Sequence, residues 1–304
     1  MYSIKSYAKI NLWLEILRKR EDGFHEVRTL LQTVDLYDDL HVRIASSKIT
    51  CECAHPGVPS GDDNLVVKAA ELLREAKEVH SGAAFHLEKR ILPGGGLGGG
   101  SSNAAMALLL LNRLWRLNLS QTDLLGYAAR LGSDVPFFLV GGLCLGIGRG
   151  EEVYPLEDIE PFWIVLTGTG KNLSTREVYE KTSGKLTRNS RRARILSLSS
   201  LLSGDLSSGA RFSISHTLEN QLEDAAALLD PDISGLKKQL MQAGAEVAML
   251  SGSGSTVFAL FRSRARARIA SDSMEAIGKT CYLCPTLCRS DYHERISLKE
   301  DMKD

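Results

Sequence analysis

The chain has 304 residues, and its 37 Lys and Arg balance 37 Asp and Glu, so no long-range field draws it to nucleic acid or to an anionic membrane. A small-molecule partner is expected, and the length suits two closely packed domains with ample apolar content for their cores. The longest apolar run, Ala104 to Leu111, falls far short of the roughly 20 residues a membrane span needs. The opening residues also lack a signal peptide's charged head and apolar core, so a soluble cytoplasmic protein is expected.

Tyr7 to Leu14 alternates, with Ala8, Ile10, Leu12 and Leu14 directed one way and Tyr7, Lys9, Asn11 and Trp13 the other, which predicts a strand with one oily and one chemically equipped face. Arg20-Glu21-Asp22-Gly23 is turn chemistry, and Glu26 to Leu36 reads as the returning strand of a hairpin with Phe24 and His25 at its mouth. A strand region at Leu40 to Cys53, a helix over Asn64 to Glu78 and a half-polar strand at Ala84 to Ile91 follow; the last suits a one-sided antiparallel sheet. After a glycine loop come a nearly all-apolar helix from Ser101 to Trp115 and a helix from Ser120 to Leu131, opened by Ser120 with Asp123 and closed by Gly132. A short helical start at Asp134-Val135-Pro136 precedes strands at Gly142 to Ile147 and Phe162 to Leu166. Gly148-Arg149-Gly150 is a turn, and Pro155 to Pro161 marks a boundary, dividing the chain into domains 1–155 and 156–304.

The second half carries a Ser- and Arg-rich stretch from Ser183 to Ser200, helices at Leu218 to Leu229 and Ile233 to Ala243, and the run Ala248 to Leu260 interrupted by Ser251 to Ser255. The basic run Arg188 to Arg194 is short and poor in aromatics, so it reads as a solvated linker rather than a nucleic-acid patch. Six cysteines stand at 51, 53, 144, 281, 284 and 288. The spacing of the last three invites a metal reading, but no fourth ligand is evident, and free core thiols in a reducing compartment are the simpler account. Other metal ligands are not assignable.

The most informative stretch is Pro93-Gly94-Gly95-Gly96-Leu97-Gly98-Gly99-Gly100-Ser101-Ser102-Asn103, with six glycines in seven positions. Bare backbone before a helix N-terminus is a phosphate cradle, and so many glycines cost more conformational entropy than packing alone would justify. The loop contains G-x-G-x-x-G, but the half-polar strand before it and the second helix after it do not fit a dinucleotide fold. A P-loop would need a lysine after the glycines, and none follows. Ser101 and Ser102 instead offer hydroxyls to phosphate or magnesium.

PGGGLGGGSSNAA resembles the hallmark loop of the GHMP kinase superfamily. YAKINLWLEILRKREDGFHEV, LGSDVPFFLVGG and MLSGSGSTVFALF match further segments in order, so that the similarity runs from about Tyr7 to Phe261. The combination of AKINL, R-x-DGFHE and LGSDVPFFL is similar to the branch whose substrate is a cytidine diphosphate-linked sugar alcohol of the non-mevalonate isoprenoid route. The resemblance implies an α+β, two-domain fold with mixed and antiparallel sheets and helices packed on them, and transfer of the ATP γ-phosphoryl group, with Mg2+, to a tertiary hydroxyl.

It implies that Asp134 accepts or orients the hydroxyl proton and that Lys9 pairs with it and stabilises charge on the transferring group; from the residues alone, an N-cap for the Val135-Pro136 turn is the alternative for Asp134, and Lys9 reads as an ordinary exposed strand lysine. Asn11 faces the same way as Lys9. Pro93 to Asn103 are implied in nucleotide binding. His25 is assigned to the cytosine, with stacking from Phe24 and Tyr179. Phe24 stands where relatives commonly have tyrosine, which keeps the stacking face and loses the hydroxyl, and Ser133 stands where alanine is usual. Thr175 matches a threonine near the substrate, though a plain helix cap explains it nearly as well. The Ser251 to Ser255 loop resembles the third superfamily motif, which packs on the glycine loop; otherwise it is a flexible turn.

Overall fold

The computed structural model describes residues 1–183 and 218–300; the basic run at 188–194 lies outside them. Two long strands, β1 (Tyr2–Lys19) and β2 (His25–Ala45), pair antiparallel. They are joined by a turn in which the Arg20 N–H donates to the Phe24 carbonyl at 2.8 Å and Gly23 takes a φ of +86°. The alternation predicted for the first strand holds only as far as Asn11, and both faces are covered: Lys9 and Asn11 are each 3% exposed and Ile10 is fully buried. A bulge at Leu12, between the pairs Asn11–Leu31 and Trp13–Leu30, shifts the alternation by one. Trp13 therefore joins Ile10 in one core, and Leu14 turns to the other side. The two strands expected between Glu26 and Cys53 prove to be one strand as far as Ala45, irregular between the pairs Tyr7–Tyr37 and Ala8–Val34, followed by β3 (Ile49–Glu52).

α1 (Leu65–Ala76) starts where the Asn64 side chain accepts from the Val66 N–H at 2.8 Å. β4 (Gly82–Glu88) then runs parallel to β3 and antiparallel to β2. α2 (Gly99–Leu114) is apolar nearly all round and buried accordingly. α3 (Gln121–Leu131) begins with a Ser120/Asp123 capping box, and α4 (Phe137–Val140) is a single turn. Together with α1 these helices cover one face of the first sheet, with Leu73, Phe85, Leu108 and Phe137 in the shared core. β5 (Leu143–Ile147) and β6 (Glu152–Pro155) extend that sheet from β2.

The second sheet has the order β10-β7-β9-β8, where β7 is Trp163–Gly168, β8 Val247–Leu250, β9 Thr256–Phe261 and β10 Cys281–Pro285, all antiparallel. Its inner face meets the free face of β1 and β2 through Ile10, Trp13, Phe162 and Phe258. Its outer face is covered by α5 (Thr175–Ser183), α6 (Glu223–Leu229), α7 (Asp232–Gln242) and α8 (Arg264–Glu275). The architecture is thus α+β in four layers, helices, sheet, sheet, helices, and β1 lies in its interior.

The expected domain junction falls in the segment between β6 and β7, and the last described stretch crosses back to the first sheet. α9 (Arg289–Arg295) places Tyr292 in the helix-side core, and β11 (Lys299–Glu300) pairs with β1. The Arg289 guanidinium donates to the carbonyls of Gly141, Leu143 and Leu156 at 3.2, 2.6 and 3.1 Å, and the Tyr292 hydroxyl donates to the Phe138 carbonyl at 2.5 Å. Gly141 is required there, because a Cβ would sit 2.0 Å from the Tyr292 ring. This tail fastens the segment that follows Asp134.

All six cysteines are free thiols. Cys281 and Cys284, three apart on a strand, face opposite cores. Among the described residues no three metal-binding side chains cluster, and no helix is long and apolar enough to cross a membrane.

Candidate active site

A cavity of about 810 Å³ opens between the hairpin mouth, the glycine loop, the turn after β5 and the start of α5. Lys9 reaches it from the interior strand. Its Nζ donates to Asn11 Oδ1 at 2.7 Å and stands 3.5 Å from Asp134 Oδ2. The Lys9 side chain is 4% exposed and that of Asp134 38%, so the ammonium is held from below while the carboxylate meets the cavity. Asn11 is oriented in turn, for its Nδ2 donates to Thr29 Oγ1 at 2.8 Å and Thr29 donates to the Trp13 carbonyl at 2.8 Å. α4 begins at Phe137 without a side-chain cap, which removes the N-cap reading of Asp134.

The glycine loop is built by packing as much as by its opening to the cavity, more than its sequence suggests. Gly94, Gly96 and Gly98 have φ of +71°, +78° and +69°, where a Cβ is strained. A Cβ on Gly95 would lie 2.5 Å from Thr256 Oγ1, and one on Gly96 2.0 Å from the Ser251 carbonyl. The Ser251 hydroxyl donates to the Gly96 carbonyl at 3.0 Å, so the late Ser251 to Ser255 loop sits directly on the glycine loop. Gly96, Gly98 and Ser101 line the cavity. Pro93 lies beside Gly57, Gly94 against Asn172, Gly99 against Ile91 and Lys89, and Gly100 faces open space near Leu65; Leu97 is in the inter-sheet core.

Ser102 and Asn103 are turned the other way, into a buried polar network. The Ser6 hydroxyl donates to Ser102 Oγ at 2.8 Å, and Asn103 Nδ2 donates to Ser6 Oγ and Asp38 Oδ2, each at 2.9 Å. Lys89, 4% exposed at its side chain, pairs with the fully buried Asp38, whose other oxygen accepts from the N–H groups of Arg90 and Ile91 at 2.7 and 2.8 Å. A buried ion pair needs such extra hydrogen bonds to offset its desolvation, and here they clamp the strand entering the loop to the helix leaving it.

At the far end His25, 9% exposed, stacks on Tyr179 with ring centroids 5.1 Å apart and planes 29° apart. Burial first, and then the charge of Lys19, hold the imidazole below its ordinary pKa of 6.5. It is therefore neutral at neutral pH, with one nitrogen donating and one accepting. Burial and then the nearby Asp134 push the Tyr179 phenol upward. Phe24 is 52% exposed at the rim, with the Arg149 guanidinium 5.0 Å from its ring centroid. Thr175 opens α5, but the cap is Ser174, whose hydroxyl accepts from the Glu177 N–H at 3.4 Å; the Ser253 hydroxyl donates to Thr175 Oγ1 at 2.9 Å.

The cavity thus gathers Lys9, Asn11, Phe24, His25, Asp134, Thr175 and Tyr179. It adds residues that the sequence did not mark. Thr29 orients Asn11, Arg149 forms part of the wall, and Asn220 holds the late loop, its Nδ2 donating to the Leu250 and Gly252 carbonyls at 2.9 and 2.7 Å. Of these only Arg149 carried a local signal, its glycine-flanked turn.

The sequence matches the GHMP kinases N terminal domain over residues 64–142 and the GHMP kinases C terminal domain over residues 198–280. It is 34% identical to a 4-diphosphocytidyl-2-C-methyl-D-erythritol kinase of Alkaliphilus metalliredigens, covering 96% of this chain and 98% of the relative. It is 39% identical to one of Shouchella clausii, covering 87% of each. The chain belongs to the 4-diphosphocytidyl-2-C-methyl-D-erythritol kinase family. A solved 4-(cytidine 5'-diphospho)-2C-methyl-D-erythritol kinase superposes with a TM-score of 0.76 at 32% identity over 93% of this chain and 98% of that one. A homoserine kinase from Cytophaga hutchinsonii superposes at 0.74 with 19% identity, over 98% and 96%, which establishes the shared fold alone.

Within this kinase the two loops meet backbone to backbone, and substitution should separate the glycines that packing needs from those it does not. Gly96→Ala is expected to cost more than about 1 kcal/mol in chemical denaturation and to raise the KM for ATP. Gly100→Ala, at a helical position where a Cβ would meet only Leu65 at 3.6 Å, is expected to hold or raise the denaturation midpoint.

Proposed function

We propose that the chain transfers the γ-phosphoryl group of ATP to the 2-hydroxyl of 4-diphosphocytidyl-2-C-methyl-D-erythritol, in the cytoplasm, as a step of non-mevalonate isoprenoid precursor synthesis. The observation that carries this reading is the coincidence in one cavity of a Lys9–Asp134 pair 3.5 Å apart, a helix N-terminus at Gly99 and a neutral imidazole stacked on a phenol. The first supplies acid–base and charge chemistry, the second a phosphate seat, and the third a pyrimidine-sized recognition end.

In this reading the first N–H groups of α2, unpaired within the helix, and the helix dipole hold the ATP phosphates. Pro93 to Ser101 shape that seat, while Ser102 and Asn103 brace it from behind. Magnesium carried in by the nucleotide would find hard oxygen donors facing the cavity in Ser101 and Asp134, and would supply neutralisation of phosphate charge. The substrate oxygen attacks phosphorus as its proton passes to Asp134, the bond from phosphorus to the bridging β-phosphate oxygen breaks, and ADP leaves. Lys9, fixed by Asn11, faces the charge that builds on the transferring group. His25 meets the cytosine edge through its acceptor nitrogen, Tyr179 and Phe24 offer aromatic faces, and Thr175 with Ser253 closes the side.

Purified protein supplied with ATP, magnesium and the cytidyl alcohol, run beside homoserine, mevalonate and galactose, is expected to turn over the first alone; turnover confined to another alcohol overturns the substrate assignment. Asp134→Asn is expected to lower kcat roughly 100-fold or more, and a folded variant with near-normal kcat would remove Asp134 from the chemistry. The depressed pKa of His25 means that protonation, and with it loss of the acceptor nitrogen, reaches its midpoint only below pH 6.5. The KM for the cytidyl alcohol should therefore be level at pH 8 and rise as the pH falls through that midpoint, and His25→Gln, which keeps an acceptor without titrating, should flatten that acid limb.

A further inference from the structure

Arg149 occupies the turn between β5 and β6, and nothing in the chemistry above uses it. The turn is firmly placed. The Val27 N–H donates to the Gly148 carbonyl at 2.7 Å, the Gly150 N–H to the Ile147 carbonyl at 3.0 Å, and a Cβ on Gly150 would lie 3.9 Å from that of Ser133. Arg149 is therefore carried beside the segment that bears Asp134.

One carboxylate sets the direction of its side chain. The Arg149 backbone N–H donates to Glu151 Oε2 at 2.6 Å and its Nε to Glu151 Oε1 at 2.9 Å, while the guanidinium lies over the Phe24 ring, 5.0 Å from the centroid. The side chain is 27% exposed and lines the cavity. Neither Nη group donates to any described residue, so two nitrogens of a planar fork, with four N–H donors and the shape that suits phosphate oxygens, remain for a ligand.

The other cations at the cavity are differently committed. Lys9 serves Asn11 and Asp134. Arg176 is 87% exposed and paired with Glu180 at 2.9 Å, and Lys19 is an exposed point charge on the hairpin. Glu151 and Asp22 are the acidic groups beside Arg149, and Asp22 already accepts from Arg20 and from the Phe24 N–H. Glu151 uses one edge of the guanidinium and leaves the other open.

Arg149 thus stands between the aromatic end of the cavity and the Asp134 end. A ligand with its pyrimidine against His25 and Tyr179 and its alcohol at Asp134 must carry its diphosphate bridge past this turn. We propose that Arg149 is a specificity-determining residue that binds the diphosphate bridge of the substrate; the inference rests on the cytidyl reading of the same cavity. It separates a nucleoside diphosphate-linked alcohol from small alcohols that lack any charge at this position.

Titration calorimetry with two probes, cytidine diphosphate and cytidine, on the parent, Arg149→Met and Arg149→Lys proteins tests it. Loss of hydrogen bonds to a charged group predicts that Arg149→Met binds cytidine diphosphate about 10- to 100-fold more weakly, with cytidine affinity nearly unchanged. Arg149→Lys should recover part of the loss, and in turnover the KM for the cytidyl alcohol should rise in the Met variant while that for ATP holds. An equal loss for both probes would reduce Arg149 to a prop for Phe24, and an unchanged affinity for cytidine diphosphate would remove it from the site; either overturns the inference while leaving the cytidyl reading standing. A parent protein that binds neither probe overturns the cytidyl reading and this inference with it.

Discussion

The ammonium of Lys9 sits on a strand of the first sheet, covered by helices on one face and by the second sheet on the other, with 4% of its side chain exposed, and a charge so placed is tolerated only if polar partners come to it. Those partners organise the site. Asn11 meets it from the same strand and is held by Thr29 across the hairpin; Asp134 meets it from the segment before α4; and Gly98 and Gly252 leave room beside the lysine side chain. Removing Asn11 or Asp134 would leave a buried cation short of a partner, so the position of the Asp134 carboxylate and the stability of the interior are one requirement.

A second buried cation does the same for the glycine loop. Lys89 and Asp38, tied to Asn103, Ser102 and Ser6, fix the end of β4 to the first turn of α2, so the glycines between them are held at both ends. The late loop then lies on those glycines at distances that exclude a side chain. Flexibility is what the composition of this loop suggests, yet its surroundings hold it at both ends, which suits the phosphate seat proposed for it. The Arg289 and Tyr292 tail acts from the opposite side, pinning the segment behind Asp134 to the first sheet.

Much of this was legible in the sequence. The apolar periodicity of α1 and α2, the Ser120/Asp123 box and the hairpin turn were readable because each depends on neighbours a few residues away. Lys9, Asp134 and His25 were legible through motif order. What escaped had a long-range cause. The bulge at Leu12 and the covering of both faces of β1 depend on the second sheet, and so the polar face of the strand proved to be interior. α8 did carry a helical signal in Ala267, Ala270 and Met274, masked by its many arginines. Asn220, Thr29 and the open edge of Arg149 become visible only when strands distant in sequence are paired.

The cavity proposed to bring the cytidyl alcohol and ATP together across Lys9 and Asp134 can be read directly in a crystal structure of the enzyme with that alcohol and a non-hydrolysable ATP analogue, from the position of the 2-hydroxyl oxygen. That oxygen is expected within about 3 Å of Asp134, with Lys9 beside it and the terminal phosphate over Gly96 to Ser101. An alcohol seated with its hydroxyl away from both side chains, or a nucleotide bound elsewhere than on the glycine loop, would contradict it.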